Sequence, residues 1–191
     1  NDPEKDQNVF MPQFQTDYKF DKDTAWYINI GKAFQMPTVD DVFRYKNMNP
    51  QGLKPESGWT YETGIKHRHG NDTWKVAVYH MDMKDKLGWA KDAKGDYYAV
   101  NKGNFRNTGF ETEYMKRFND TWSVTVGAGY SNPQVQDPSS TKREWVQDAG
   151  RIEGLVRVDY KKEKWQGNLN LKYLGDREYY KPSSGTAQDV P

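Results

Sequence analysis

Trp122-Ser123-Val124-Thr125-Val126-Gly127-Ala128-Gly129-Tyr130 alternates strictly: its even positions are apolar, its odd positions hydroxyls and glycines. Successive side chains on a strand point to opposite faces, so this stretch has one apolar face and one small, polar face. It starts with Trp, ends with Tyr, and follows Phe118-Asn119-Asp120-Thr121. Asn and Asp side chains bond the local backbone in tight turns, which makes the segment one arm of a hairpin.

The pattern recurs in both directions along the chain. Trp165, Gly167, Leu169, Leu171 and Tyr173 alternate with Gln166, Asn168, Asn170 and Lys172. Ile152 through Tyr160 and Trp59 through Arg68 alternate in the same way. The turn unit repeats as Phe20-Asp21-Lys22-Asp23-Thr24-Ala25-Trp26 and Gly70-Asn71-Asp72-Thr73-Trp74, with a weaker copy at Lys161-Lys162-Glu163-Lys164-Trp165. The periodicity predicts strands at 11–20, 25–34, 58–69, 73–86, 104–118, 121–130, 151–160 and 164–174. Tight turns at 21–24, 69–72, 119–120 and 161–163 alternate with long polar stretches at 35–57, 87–103, 131–150 and from 175 onward. All long loops then leave one end of the sheet, and the Trp residues gather at the other.

Composition narrows the class. The chain has 191 residues, 28 basic against 27 acidic side chains, a net charge of +1 and no Cys. Disulfides and Cys-ligated metal sites are excluded, and balanced charge gives no basis for nucleic-acid binding. Mean hydropathy is −1.11. No apolar run is long enough for a membrane helix, and few Leu and Ile are present to pack a helical bundle. Phe, Tyr and Trp nevertheless number 8, 13 and 7.

Two all-β architectures fit. A soluble sandwich, with carbohydrate as a ligand for its exposed aromatics, buries the apolar faces against each other. An antiparallel transmembrane β-barrel turns them to lipid, with short turns on one side, long loops on the other and aromatic belts at both boundaries. The barrel accounts for the loop alternation and for the aromatics at strand ends. Trp26, Trp74, Trp122 and Trp165 are expected in the belt beside the turns, and Tyr130, Tyr160 and Tyr173 in the belt beside the loops.

Specific stretches carry a family likeness. They are Ala25 through Phe34, Met36-Pro37-Thr38, Asn49-Pro50, Leu53-Lys54-Pro55-Glu56, Trp59 through Lys66, Tyr79 through Lys86, Asn107 through Glu113 and Asn119 through Ser123. In order and spacing they resemble the C-terminal part of the barrel of TonB-dependent outer-membrane receptors. The resemblance implies that residues 1–191 are a partial barrel domain, about eight strands of a plugged barrel of about 22. The plug and the last strands are expected outside this chain. It also implies a bacterial outer-membrane location, membrane lipid and the plug and TonB complex as partners, no resident cofactor and no enzymatic step. The cargo is expected to be an iron chelate, either a siderophore or haem. Cobalamin, another scarce nutrient, or passive diffusion as in a porin is the alternative.

Phe34-Gln35-Met36-Pro37-Thr38 and Asn49-Pro50-Gln51-Gly52-Leu53 are similar to the paired boxes of haem receptors, but no His lies between them. Tyr45 and Met48 are residue types that ligate haem iron. Aromatic and cationic groups suit planar, anionic chelates through stacking and cation–π contact. The candidates for chelate contact are Arg44, Tyr45, Met48, Trp89, Tyr97, Tyr98, Arg143 and Trp145, with Lys46, Arg177, Tyr179 and Tyr180 beside them. His67 and His69 share a face but lack the further ligands a metal site needs. Glu111 and Glu113 share the opposite face and read as a luminal charge ladder with Lys66, Arg68 and Arg117. Asn71-Asp72-Thr73 and Asn119-Asp120-Thr121 match a glycosylation sequon, which turn chemistry already explains.

Overall fold

The computed structural model describes residues 10–38, 52–136, 141–145, 150–180 and 187–190, and the side chains of all of these except 145, 178–180 and 187–190. The described residues form strands and no helix. Eight long strands follow one another as an antiparallel meander. They are β1 (Gln13–Lys19), β2 (Thr24–Gln35), β3 (Glu56–His69), β4 (Asp72–Lys84), β7 (Asn104–Arg117), β8 (Trp122–Ser131), β11 (Ile152–Lys162) and β12 (Trp165–Gly175). Six short strands occupy the long loops: β5 (Leu87–Lys91) with β6 (Tyr97–Asn101), β9 (Gln134–Gln136) with β10 (Glu144–Trp145), and β13 (Arg177–Tyr180) with β14 (Ala187–Val190). Strands β1 and β12 end the sheet and do not pair with each other. The sheet is an open arc, not a closed small barrel.

The register joins like to like. Trp122 pairs with Tyr160, Val124 with Val158, Val126 with Val156 and Tyr130 with Ile152, while Thr125 meets Arg157 and Gly129 meets Glu153. One face of the whole arc is therefore apolar and the other polar, as the period-two pattern demands.

Burial runs opposite to that of a water-soluble fold. Trp74, Val78, Phe110, Trp122, Val126, Leu169 and Leu171, all on the apolar face, are exposed. Among the described residues the buried apolar side chains are Tyr27, Ala77, Met83 and Ala99. The first three stand on the polar, concave face. A sandwich needs a second sheet over Trp122 and Val126, which are instead 46% and 41% exposed. Leaving such side chains in water forgoes about 1.5–3 kcal/mol apiece, so the apolar face calls for an apolar surrounding other than a second sheet of this chain's described residues.

Glycines on the concave face let aromatic rings lie flat across the sheet. Tyr27 pairs with Gly64, where an added Cβ would stand 2.7 Å from a Tyr27 ring carbon. Tyr79 covers Gly109 in the same way, at 2.6 Å. The Tyr27 hydroxyl donates to Glu62 Oε1 at 2.6 Å, and Lys66 Nζ sits 4.3 Å from the Tyr27 ring centroid.

The tight turns are of two kinds. Asp21 Oδ1 accepts from the Asp23 and Thr24 amides, both at 2.7 Å, and Phe20 N–H donates to the Thr24 carbonyl at 3.0 Å. Asn119 Oδ1 accepts from Thr121 and Trp122 at 2.9 Å, with Phe118 N–H on the Trp122 carbonyl at 3.0 Å. The other two are two-residue turns, Gly70-Asn71 and Glu163-Lys164, with φ of +56° at Gly70 and +50° at Glu163. The last turn thus falls at 163–164 and not at 161–163. Lys161 and Lys162 stay in the ladder, opposite Gln166 and Trp165; their charge reads as turn composition, but an exposed strand end tolerates it.

Candidate functional site

The two boxes meet at the long-loop end. Phe34 lies opposite Ser57, and Gln35 closes β2 opposite Glu56, so the first box ends one strand where the second begins the next. Phe34 and Pro37 are half-buried, while Met36 and Thr38 are exposed. In the second box Leu53 and Pro55 are half-buried, Lys54 is exposed and Glu56 is 7% exposed. Arg44, Tyr45, Lys46, Met48, Asn49 and Pro50 lie outside the described residues.

Glu56 and Lys54 hold the β5–β6 hairpin. Glu56 Oε2 accepts from the Leu87 amide at 3.2 Å, and Lys86 Nζ stands 3.9 Å from Glu56 Oε1 and 4.7 Å from the Phe105 ring centroid. Asn101 closes the other arm. Its Oδ1 accepts from Lys54 N–H at 2.9 Å, and its Nδ2 donates to the Lys54 and Asp85 carbonyls at 2.9 and 2.7 Å. The hairpin tip is tied by Asp92, whose Oδ1 accepts from Lys94 and Asp96 at 2.8 and 2.9 Å. Asn101 forms part of this end without any sequence signal that singled it out.

The hairpin sorts the expected aromatics. Trp89 pairs with Ala99, and Lys91 with Tyr97, so Trp89, Lys91 and Tyr97 share one face. Trp89 is 49% and Tyr97 59% exposed, with Lys91 Nζ 4.8 Å from the Tyr97 ring centroid. Tyr98 faces the other way, opposite Ala90, and is half-buried. Strand β9 continues past Pro133 onto β7, opposite Asn104–Arg106, and carries β10. Arg143, just before β10, is half-buried, and its Nη1 is enclosed without a hydrogen-bond partner among the described residues. Trp145 pairs through its backbone with Gln134. Tyr179 and Tyr180 pair with Gln188 and Ala187. Arg177 is half-buried.

Tyr160 lies at the turn end of the sheet and not beside the loops, because it pairs directly with Trp122, with ring centroids 4.7 Å apart. Parity gives a residue its face, but β11 runs back toward the turns, and its last aromatic ends there. Trp74 and Tyr114 form a second such contact at 5.0 Å. Trp26 Nε1 donates to Thr63 Oγ1 at 2.8 Å and is half-buried, whereas Trp165 on the edge strand is 76% exposed. Tyr130 stacks on Phe110 at 6.2 Å toward the loops, and Tyr173 is exposed on β12.

The remaining polar candidates have local roles. His67 Nδ1 lies 2.9 Å from Thr24 Oγ1 and His69 Nδ1 lies 2.8 Å from Asp23 Oδ2, so each imidazole ties its strand to the first turn. Among the described residues no three His, Cys, Asp or Glu gather as a metal site. Glu113 stands between Lys75 and Gly127 across the strands, and Glu111 between Ala77 and Gly129, both on the concave face.

This geometry has known counterparts. A family model described as TonB dependent receptor-like, beta-barrel, matches residues 1–191. The chain belongs to the TonB-dependent receptor family. Such receptors are outer-membrane β-barrels. Vitamin B12 transporter BtuB of Photobacterium profundum is 25% identical over 176 residues, 85% of this chain and 27% of the relative. The solved structure of Pseudomonas aeruginosa FpvA, in a complex with a heterologous pyoverdine and iron, has a TM-score of 0.68 at 18% identity, covering 96% of this chain and 25% of the other. The FrpB iron transporter of Neisseria meningitidis (F3-3 variant) has a TM-score of 0.66 at 16% identity, covering 94% and 30%. The receptor segment thus spans roughly a quarter to a third of the length of these relatives.

Proposed function

We propose that the chain is part of the wall of an outer-membrane receptor that takes up an iron chelate with energy from the TonB complex. The observation that carries the reading is the β5–β6 hairpin. It holds an exposed Trp89 and Tyr97 and the Lys91 ammonium on one face, at the long-loop end of a barrel of this family. Stacking surface beside a cation suits a flat, anionic iron chelate better than a neutral solute. Arg143 and Trp145 on the neighbouring loop, and Arg44, Tyr45 and Met48 between the boxes, complete the proposed contact set. Binding and release move no covalent bond, so the wall acts as a receptor and not as an enzyme.

The test is uptake and binding by the intact receptor of ferric siderophores, haem and cobalamin in parallel. The expected outcome is saturable binding of one iron chelate, weakened about tenfold or more by Trp89→Ala with Tyr97→Ala, a loss on the order of two stacked rings. Uptake of cobalamin alone would replace the iron reading with the vitamin reading, which the relation to a B12 transporter favours. Haem uptake unchanged by loss of Tyr45 and Met48 would remove those two as iron ligands.

A further inference from the structure

On the convex face of β2, β3, β4 and β7 the apolar band gives way abruptly to charge. The cross-strand rows, read from turns to loops, are Trp26–Ile65–Val76–Thr112, Ile28–Thr63–Val78–Phe110 and Ile30–Tyr61–His80–Thr108, followed by Lys32–Trp59–Asp82–Arg106. Lys84 follows on β4, opposite Ser57. Trp59, Tyr61 and His80 stack along the boundary, with centroids 6.3 and 6.4 Å apart. A groove of about 450 Å³ opens here between Lys32, Trp59, Tyr61, His80, Asp82 and Lys84.

Lys32 and Lys84 line the groove together with Asp82, and Arg106, which is not part of the lining, reaches Asp82 from β7. Arg106 Nη2 lies 3.3 Å from Asp82 Oδ2, while Arg106 Nε is enclosed without a hydrogen-bond partner among the described residues. Lys32 and Lys84 have no ion-pair partner among the described residues. The charged row ends against a neutral neighbour, since Arg106 pairs onward with Gln134 of β9, while the Phe110 row below it continues uncharged through Tyr130, Ile152 and Gly175. Cations at the edge of a lipid-facing band, above apolar rows and beside aromatics, match an amphiphile with an anionic head.

We propose that this groove binds the phosphorylated headgroup of an outer-leaflet lipid. Lys32, Lys84 and Arg106 hold the phosphate while the acyl chains lie along Ile28, Ile30 and Val78. The inference rests on the outer-membrane orientation proposed above and is independent of the cargo. A phosphate accepts several charge-assisted hydrogen bonds at once, and Arg presents the fork that suits it. Asp82 orients the Arg106 guanidinium and limits the site to one headgroup.

The experiment uses the intact receptor in non-ionic detergent, with bound lipid counted by native mass spectrometry. The probes are bisphosphorylated lipid A, the same lipid dephosphorylated, and inorganic phosphate. Preference for the phosphorylated lipid by about tenfold or more is expected, with no displacement by inorganic phosphate. Substitution to Gln is expected to weaken binding about fivefold for each of Lys32, Lys84 and Arg106, and on the order of a hundredfold for all three. Lys162→Gln, at the turn end of the lipid face, leaves binding unchanged. Equal affinity for both lipids, or a triple variant that keeps its unfolding transition and binds normally, overturns the proposal. Displacement by inorganic phosphate overturns it in favour of a plain anion site. Should the triple variant fail to fold, Lys32→Gln and Lys84→Gln singly decide the matter, and normal binding by both overturns the proposal. Because no chelate is present, failure here leaves the transport reading standing, and loss of transport leaves this one standing.

Discussion

Asp21 and Asn119 occupy equivalent turns and differ in charge, which turns the sequence repeat into an internal comparison. The Asp23 amide and then the Thr24 amide, each hydrogen-bonded to the carboxylate, hold the Asp21 carboxyl below its usual range. A carboxyl depressed in the folded state contributes stability above its unfolded value, about 3.9. That contribution is lost as pH falls through the lower, folded value. Hydrogen exchange of the Asp23 and Thr24 amides is therefore expected to lose protection on acidification into that window. The Thr121 and Trp122 amides, held by the neutral Asn119, keep theirs, and Asp21→Asn makes the two turns alike. At Gly64 the constraint is steric. An added methyl meets the Val76 carbonyl oxygen first and the Tyr27 ring at 2.7 Å, so the backbone of β4 must give way and a moved ring breaks its hydrogen bond to Glu62. Gly64→Ala is expected to cost about 1–3 kcal/mol, read as a lower guanidinium midpoint for the intact receptor in lipid vesicles.

At the scale of elements, the β5–β6 hairpin is fastened to the barrel wall at both arms, through Glu56 and through Asn101. Asn101→Ala removes three hydrogen bonds, each worth about 0.5–1.5 kcal/mol. Amide exchange in Leu87–Lys91 and Tyr97–Asn101 is expected to quicken at least about tenfold, with Val124 and Val126 in the wall unchanged. Glu56→Gln still presents an acceptor to Leu87 and is expected to change the same exchange much less than Glu56→Ala. This fastening also shows where sequence stops being legible. The long strands are plain in the sequence because ten residues of alternation outweigh any local ambiguity. Five residues such as Leu87-Gly88-Trp89-Ala90-Lys91, between Lys and Asp, carry too little period to separate strand from loop. Asn101 finds Lys54 across 47 residues of sequence, a contact fixed by neighbouring strand ends and invisible to spacing. Trp89 and Tyr97 are legible as loop aromatics; that Tyr98 turns away follows only from the hairpin register. Tyr160 marks the same limit, since alternation gives its face but only chain direction gives its end.

Across the whole molecule, the test of the architecture is the contrast between its two faces. From Trp122 to Tyr130 a strand rises about 27 Å at roughly 3.4 Å per residue. At a tilt of about 40° this covers about 21 Å of depth, close to the apolar band of roughly 25 Å seen in outer-membrane barrels. Val126 is the midpoint of that span and points outward, 41% exposed in this arc. Asn170, on β12, points to the concave side, opposite Arg157. Both edges of the arc end in unpaired strand, and β12 is exposed along nearly its whole length. An edge of that length in water is a template for association, so the comparison belongs in the intact receptor. There Val126→Arg puts a guanidinium at the bilayer midplane and is expected to cost about 2–4 kcal/mol. Asn170→Arg adds the same group on the luminal side and is expected to cost far less, because that face already carries Lys172 and Arg157. Guanidinium unfolding of the two variants in lipid vesicles measures the difference. Equal costs would mean that the convex face does not meet lipid, and the inverted burial of the apolar residues would need another solvent.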